Sequence, residues 1–219
     1  MVHKLMKLII KNLGTISYES AYSYQETCLN EVQGGASDHL LLMEHPKVIT
    51  LGLHANPENI LLSESELERR GYQVISTRRG GDVTYHGPGQ LVGYTIFNLK
   101  KNHGGSIKTF VNQLEQLFID LLKTHFDIHA TRDPINSGVF VGNSKILAIG
   151  LAVRRGVTMH GFALNVNTNL EDFKAIVPCG LKERDVTSIH RLTSRYQDIE
   201  AIKLVVANAF ISQFGFDPL

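Results

Sequence analysis

The sequence predicts an α+β fold: a mixed, largely antiparallel sheet with helices packed around it. Three observations predict it. Three short apolar runs, Gly138–Val141, Ile146–Val153 and Val157–Val166, are joined at Gly142-Asn143 and Arg154-Arg155-Gly156 by turns of the length antiparallel neighbours use. Between Ser106 and His125, Ile107, Phe110, Val111, Leu114, Leu117, Phe118, Leu121 and Leu122 recur at i, i+3, i+4 and make a broad apolar helix stripe. No internal repeat, low-complexity tract or linker interrupts the 219 residues, so 1–219 reads as one domain.

In chain order, Lys4–Asn12 reads as a first strand. Tyr18–Val32 is helical, with Tyr18, Ala21, Tyr22, Gln25, Leu29 and Val32 on one face. Cys28 lies beside Leu29, where a small buried thiol fits. Gly34-Gly35 end that helix. From His39 to Leu53 two strands flank a break at His45-Pro46, because Pro46 cannot donate to a ladder. Asn56–Leu62 is loop. Ser63 caps a short helix to Arg70, with Glu66 at the capping-box spacing. Tyr72–Thr77 and Leu91–Leu99 are β-like. Leu170–Ile176 is a helical turn running into Pro178-Cys179-Gly180, Val186–Leu192 has no clear period, and Asp198–Phe214 is a terminal helix.

Composition excludes several functions. With 22 basic and 21 acidic residues the net charge is +1, so no nucleic acid and no acidic membrane surface is expected as a partner. The basic pairs Arg69-Arg70, Arg78-Arg79 and Arg154-Arg155 are isolated and read as mostly solvated. The longest apolar run, Ile146–Val153, is far below a membrane span, and no targeting segment is visible. Two cysteines in a chain of this length fit a reducing cytoplasm. Ten histidines occur without C-x-x-C or H-E-x-x-H; His125 and His129 have i, i+4 spacing only where a helix is ending. No metal site and no cofactor is expected.

Chemistry concentrates in one long glycine-rich loop, Arg79-Gly80-Gly81-Asp82-Val83-Thr84-Tyr85-His86 and its continuation Gly87-Pro88-Gly89-Gln90 to Tyr94. Glycines let the backbone take φ > 0 and come close to a ligand, and Arg79 and His86 bracket the stretch with donors suited to a carbonyl or an anion. A hairpin that needs glycine only for its turns would be shorter and chemically plainer. The spacing matches neither a dinucleotide fingerprint nor a phosphate loop. Cys179, between Pro178 and Gly180 and outside any periodic segment, is the candidate nucleophile. A thiol with an ordinary pKa needs a neighbouring base or cation. Lys145, opening the run Ile146–Gly150, can serve if apolar surface desolvates it. His86 and His160 are alternatives that spacing leaves open. No serine has a G-x-S-x-G setting.

These residues resemble the octanoyltransferases of lipoate biosynthesis, the lipoate–protein ligase B family. The resemblance rests on Arg79-Gly80-Gly81, Thr84-Tyr85-His86, Gly89-Gln90 and Tyr94. It continues in Gly142, Lys145-Ile146 and Gly150; in His160-Gly161-Phe162-Ala163-Leu164-Asn165; and in Pro178-Cys179-Gly180 followed by Thr187-Ser188. Tyr18, Ala21 and Gln25 also fit, so it spans roughly residues 8 to 192.

The resemblance implies a biotin/lipoate protein ligase fold. It implies transfer of an octanoyl group from octanoyl-acyl carrier protein to a lysine of lipoyl domains, those of 2-oxoacid dehydrogenase complexes and the glycine-cleavage H protein. Cys179 would carry the acyl thioester and Lys145 would be the activating base. Arg79–His86, Ala148-Ile149-Gly150 and Gly161-Phe162-Ala163 would line the acyl site. Backbone N–H groups there would stabilise the oxyanion, an effect of about 3 kcal/mol per well-placed donor. No ATP is required, because the carrier thioester already holds the energy. Resemblance also leans towards a monomer. Its rivals are an ATP-dependent lipoate ligase, a lipoyl amidotransferase of the same fold, and a carrier-binding module with no chemistry.

Overall fold

The computed structural model describes residues 7–102, 104–177 and 184–217. Two sheets organise them. The larger has the strand order β1-β2-β6-β10-β9-β8-β7, with β11 added against β9. Its strands are β1 Leu8–Thr15, β2 Asp38–Glu44, β6 Gln90–Ile96, β7 Thr131–Arg132, β8 Gly138–Val141, β9 Ser144–Arg154, β10 Val157–Asn165 and β11 Asp185–Val186. Among the described residues of this sheet only the β1–β2 and β9–β11 pairs are parallel. The meander β8-β9-β10 is antiparallel, as its turns require.

The central strands β6 and β10 are buried along their whole length, because both faces are covered. One face carries α4, Ile107–Phe126, and α6, Ile199–Phe214; their Phe118 and Phe210 pack on Phe162. The other carries α1, Tyr18–Gln33, whose Ala21, Leu29 and Val32 belong to a cluster with Leu41, Met43, Val92 and Met159. Ser17, Ser106 and Asp198 cap these three helices with side-chain oxygens.

The smaller sheet, β4-β3-β5, combines β3 Val48–Leu51, β4 Gln73–Ser76 and β5 Val83–His86. Here the glycine-rich stretch departs from expectation. It is not one long loop but contains β5, which pairs antiparallel with β3 (Val48↔His86, Leu51↔Val83). Val83 and Tyr85 fill a third cluster with Ile49, Tyr72 and Phe173. The helical turn expected at Leu170–Ile176 is a 3₁₀ helix, Leu170–Ala175, and short elements without a sequence signal complete the described residues: a 3₁₀ turn at Pro57–Asn59 and the helices α3 Leu99–Asn102 and α5 Ile189–Thr193. The Ser63-capped helix is α2, Glu64–Arg69, in which Glu66 holds Arg69 and Arg70. The first strand covers Leu8–Thr15; residues 4–6 of the expected Lys4–Asn12 lie outside the described residues. Among the described residues no helix is long and apolar enough to cross a membrane.

Candidate active site

A cavity of about 310 Å³ opens where the two sheets meet. Its walls come from the loop before β5, from β5 itself, from the middles of β9 and β10, and from Tyr18 of α1. Arg79, Gly80, Gly81, Asp82, Thr84, His86, Ala148, Ile149, Gly150, Gly161, Phe162, Ala163 and Lys145 all face it. Two expected residues do not. Val83 and Tyr85 sit on the opposite face of β5, since side chains alternate along a strand. The Tyr85 hydroxyl instead donates to Asp172 Oδ2 at 3.0 Å.

Arg79 is buried rather than solvated. Its Nε and Nη2 donate to Thr50 Oγ1, Nη2 also reaches the carbonyls of Thr50 and Asp82, and Nη1 reaches Gly80 O, at 2.6–3.0 Å. The guanidinium therefore shapes the loop and sets its charge. Asp82 accepts from Asn56 N–H and Asn59 Nδ2, tying the same loop to the segment before α2. Close backbone approach explains Gly52, where a Cβ would lie 2.3 Å from Gly81 O.

A chain of hydrogen bonds fixes the His86 tautomer. Asn165 Nδ2 donates to Thr187 O, and Gln90 Nε2 donates to Asn165 Oδ1 at 2.9 Å and to Tyr85 O at 3.3 Å. Backbone carbonyls can only accept, so Gln90 Oε1 must face His86 Nδ1, 2.7 Å away, and Nδ1 carries the proton. By the same logic His45 Nδ1 donates to Ile16 O at 2.7 Å, and its Nε2 accepts from the Tyr94 hydroxyl at 2.9 Å. Burial first, then unfavourable charge coupling to the His45 ring and the Arg79 guanidinium, push His86 down to about 3. Burial and Arg79 bring His160 down to about 4. Burial also raises Tyr18 to about 12 and Tyr94 well above the ordinary phenol value. The site holds neutral rings around one fixed guanidinium.

Lys145 comes from the start of β9. It is 9% exposed, with Nζ 3.5 Å from Ser137 O and 5.1 Å from the Phe140 ring centroid. A second, enclosed space of about 20 Å³ adjoins it, lined by Thr84, Gln90, Ala148, Ala163, Asn165, Phe173 and Val186. Cys179 lies outside the described residues, but both flanks of its segment are fixed near this space. On one side Val177 N–H donates to Asn59 O at 2.7 Å and Ile176 bridges Ile60. On the other, Val186 pairs with Lys145 and Thr187 N–H donates to Lys145 O at 3.0 Å.

Sequence reasoning left Tyr18, His45, Tyr94 and the Ile135–Ser137 segment out of its site residues. Tyr18 read as the first member of an apolar helix face and His45 as part of a turn. Tyr94 is visible only inside a longer motif, and His160 inside a motif and as an alternative base.

A family model described as the lipoyl protein ligase A/B catalytic domain matches residues 17–211. An octanoyltransferase of Alkaliphilus metalliredigens is 50% identical over 213 residues, 97% of each chain. Among solved structures, a lipoate-protein ligase A bound with ATP superposes with TM-score 0.80 at 16% identity, covering 97% of this chain and 87% of that one. A biotin protein ligase of Aquifex aeolicus matches at TM-score 0.53 and 13% identity, over 96% and 70%.

Proposed function

The chain belongs to the lipoyl protein ligase A/B catalytic family, among its octanoyltransferases, and from that premise we propose that it moves an octanoyl group from an acyl carrier protein thioester to a lysine of a lipoyl domain through an acyl-Cys179 intermediate. The observation that carries the reading is Lys145. It lines an apolar cavity and pairs through β11 with the segment that leaves Cys179.

In the first half-reaction the Cys179 thiol attacks the carrier's thioester carbonyl and passes its proton to Lys145 Nζ. The tetrahedral adduct collapses, the carrier's sulfur leaves, and it takes the proton back. In the second half-reaction the acceptor lysine's neutral amine attacks the acyl-Cys179 carbonyl. Lys145 takes a proton from the attacking nitrogen and returns it to the departing Cys179 sulfur, leaving an amide. The alkyl chain lies against Val92, Ile149, Phe162 and Ala163, where apolar contact is worth about 0.8 kcal/mol per buried methylene. A histidine base is disfavoured, because His86 and His160 are held far below neutrality. Lipoyl domains of 2-oxoacid dehydrogenase complexes and the glycine-cleavage H protein are the acceptors in this reading.

Intact mass after mixing with octanoyl-carrier protein, without ATP, tests it. One octanoyl adduct, absent in Cys179→Ala and discharged by an apo lipoyl domain, is expected. Acceptor modification that instead demands ATP and free lipoate would overturn the reading in favour of a ligase.

A further inference from the structure

Away from the cavity, three side chains converge between the C-terminal half of α1 and β2. The Cys28 thiol, a Glu31 carboxylate oxygen and a His39 ring nitrogen all lie within 4.8 Å of one another. Cys28 and His39 are each 2% exposed, while Glu31 reaches solvent. His39 Nε2 stands 3.4 Å from Glu31 Oε2, and neither His39 ring nitrogen has a hydrogen-bond partner in the structure. Buried polar groups are almost always satisfied, so an imidazole with no hydrogen bond at either nitrogen, and only the longer Glu31 contact at Nε2, points to a partner that the chain itself does not supply.

We propose that Cys28, Glu31 and His39 bind a borderline-soft divalent cation, Zn²⁺ foremost, which pins α1 onto β2. A sulfur, an imidazole nitrogen and a carboxylate oxygen form a zinc-type donor set, whereas magnesium and calcium take oxygen ligands. Tetrahedral zinc with bonds of about 2.0–2.3 Å separates its ligand atoms by roughly 3.3–3.8 Å. His39 Nε2 and Glu31 Oε2, 3.4 Å apart, already stand within that range. The fourth position then faces solvent beside Glu31, which provides both a water ligand and an entry path.

The surrounding charge also fits. Glu31 and Asp38 are acidic, and among the described charges acting on His39 they outnumber the Lys11 ammonium, whose Nζ donates to the Tyr24 hydroxyl at 2.6 Å. Binding exchanges the Cys28 S–H for an S–metal bond and releases that proton to water. Sequence spacing conceals the site, because the ligands come from a helix and the following strand rather than from a compact motif.

Metal-free protein titrated with Zn²⁺ against a chromogenic chelator, and with Co²⁺ by absorption, tests the proposal. One equivalent should bind, with a thiolate-to-cobalt charge-transfer band, tetrahedral ligand-field bands and a Zn²⁺-dependent rise in Tm. Cys179→Ser should retain all three. Cys28→Ser and the surface change Glu31→Gln should each weaken binding at least tenfold, the lower end of what losing even an outer-sphere partner costs. Glu31→Gln leaves the core intact, so misfolding cannot imitate its effect. Absence of stoichiometric binding would overturn the proposal. So would a cobalt spectrum that survives Cys28→Ser but disappears in Cys179→Ser.

Discussion

Gln25 Oε1 accepts a 2.7 Å hydrogen bond from the backbone N–H of His160, the residue of β10 whose backbone lies in the left-handed region at φ 59°. A non-glycine residue held there costs on the order of 1–3 kcal/mol and persists only where its surroundings impose it. The buried amide of α1 is one such constraint. It keeps His160 against Tyr18, whose hydroxyl is 3.5 Å from His160 Nδ1. Gln25→Met removes the acceptor and leaves a buried N–H unpaired, a loss of about 1–3 kcal/mol. The urea midpoint should fall accordingly and acyl-enzyme formation should slow. A variant of unchanged stability would mean that His160 N–H finds another partner.

Gly93 and Phe162 face each other across β6 and β10. A Cβ on Gly93 would lie 2.0 Å from the Phe162 ring. That ring cannot retreat into the core, because Phe118 and Phe210 pack against it with centroids at 4.6 and 5.8 Å. In Gly93→Ala the ring must tilt towards the cavity it lines. We expect an overpacking cost of about 1–3 kcal/mol and poorer acceptance of an eight-carbon chain than of shorter ones. Mass spectrometry with carrier proteins loaded with different acyl groups reads this out. Equal rates for all chain lengths, matching the parent protein, would refute it.

These two relationships show where sequence reading works. The meander and the α4 stripe were legible because burial on one face imposes a period on the residues themselves. The cavity positions in 79–86, 148–150 and 161–163 were legible through family motifs, although motif reading carried Val83 and Tyr85 along with their cavity-facing neighbours. The turn from one long loop into β5 was not legible. Its pairing with β3 joins residues more than thirty apart, and no local pattern encodes that. The contacts of His45 and Gln25 were hidden for the same reason: their partners, Tyr94 and His160, are distant in sequence.

The buried rings give the fold a pH dependence. His86 and His160 are depressed in the folded state, to about 3 and about 4, from an ordinary value near 6.5. Below pH 6.5 the unfolded chain binds protons that the native chain refuses, so stability is full above 6.5 and falls as pH drops towards 4. Each ring contributes about 1.4 kcal/mol per pH unit across that window. Burial also lowers His45 and His39, so urea unfolding at pH 7.5, 6 and 5 should show the decline with a slope of at least two linked protons. His86→Asn should reduce the slope by about one. A flat profile would show that these rings protonate within the native fold.

Asp172 anchors the turn leading towards Cys179. Its carboxylate accepts from Lys47 Nζ at 2.8 Å, Tyr72 OH at 2.6 Å and Tyr85 OH at 3.0 Å. Burial alone would raise its pKa, but these three donors outweigh burial and hold it below the usual carboxylate range. Asp172→Ala strands two buried hydroxyls and a lysine, a loss of about 3–5 kcal/mol. Tyr85→Phe removes a single bond and should cost about 1 kcal/mol. Thermal and urea unfolding of both variants checks that order, and equal losses would contradict it.

Lys145 is the sharpest test of the chemistry. Its Nζ sits between the Ser137 carbonyl and the Phe140 ring, at the irregular register between β8 and β9 around Val139 and Phe140. Arginine at that position would keep a positive charge for attracting a thiolate or a carbonyl oxygen, but would not exchange protons near neutral pH. If Lys145 acts only as a charge, Lys145→Arg should acylate within a few-fold of the parent. If it moves protons, acyl-enzyme formation should fall by roughly 10²–10⁴ in both Lys145→Arg and Lys145→Met, with carrier affinity little changed. We expect the second outcome. Rapid-quench intact mass over a range of carrier concentrations separates rate from affinity. Near-parent acylation by the arginine variant would move the proton-transfer role to another group.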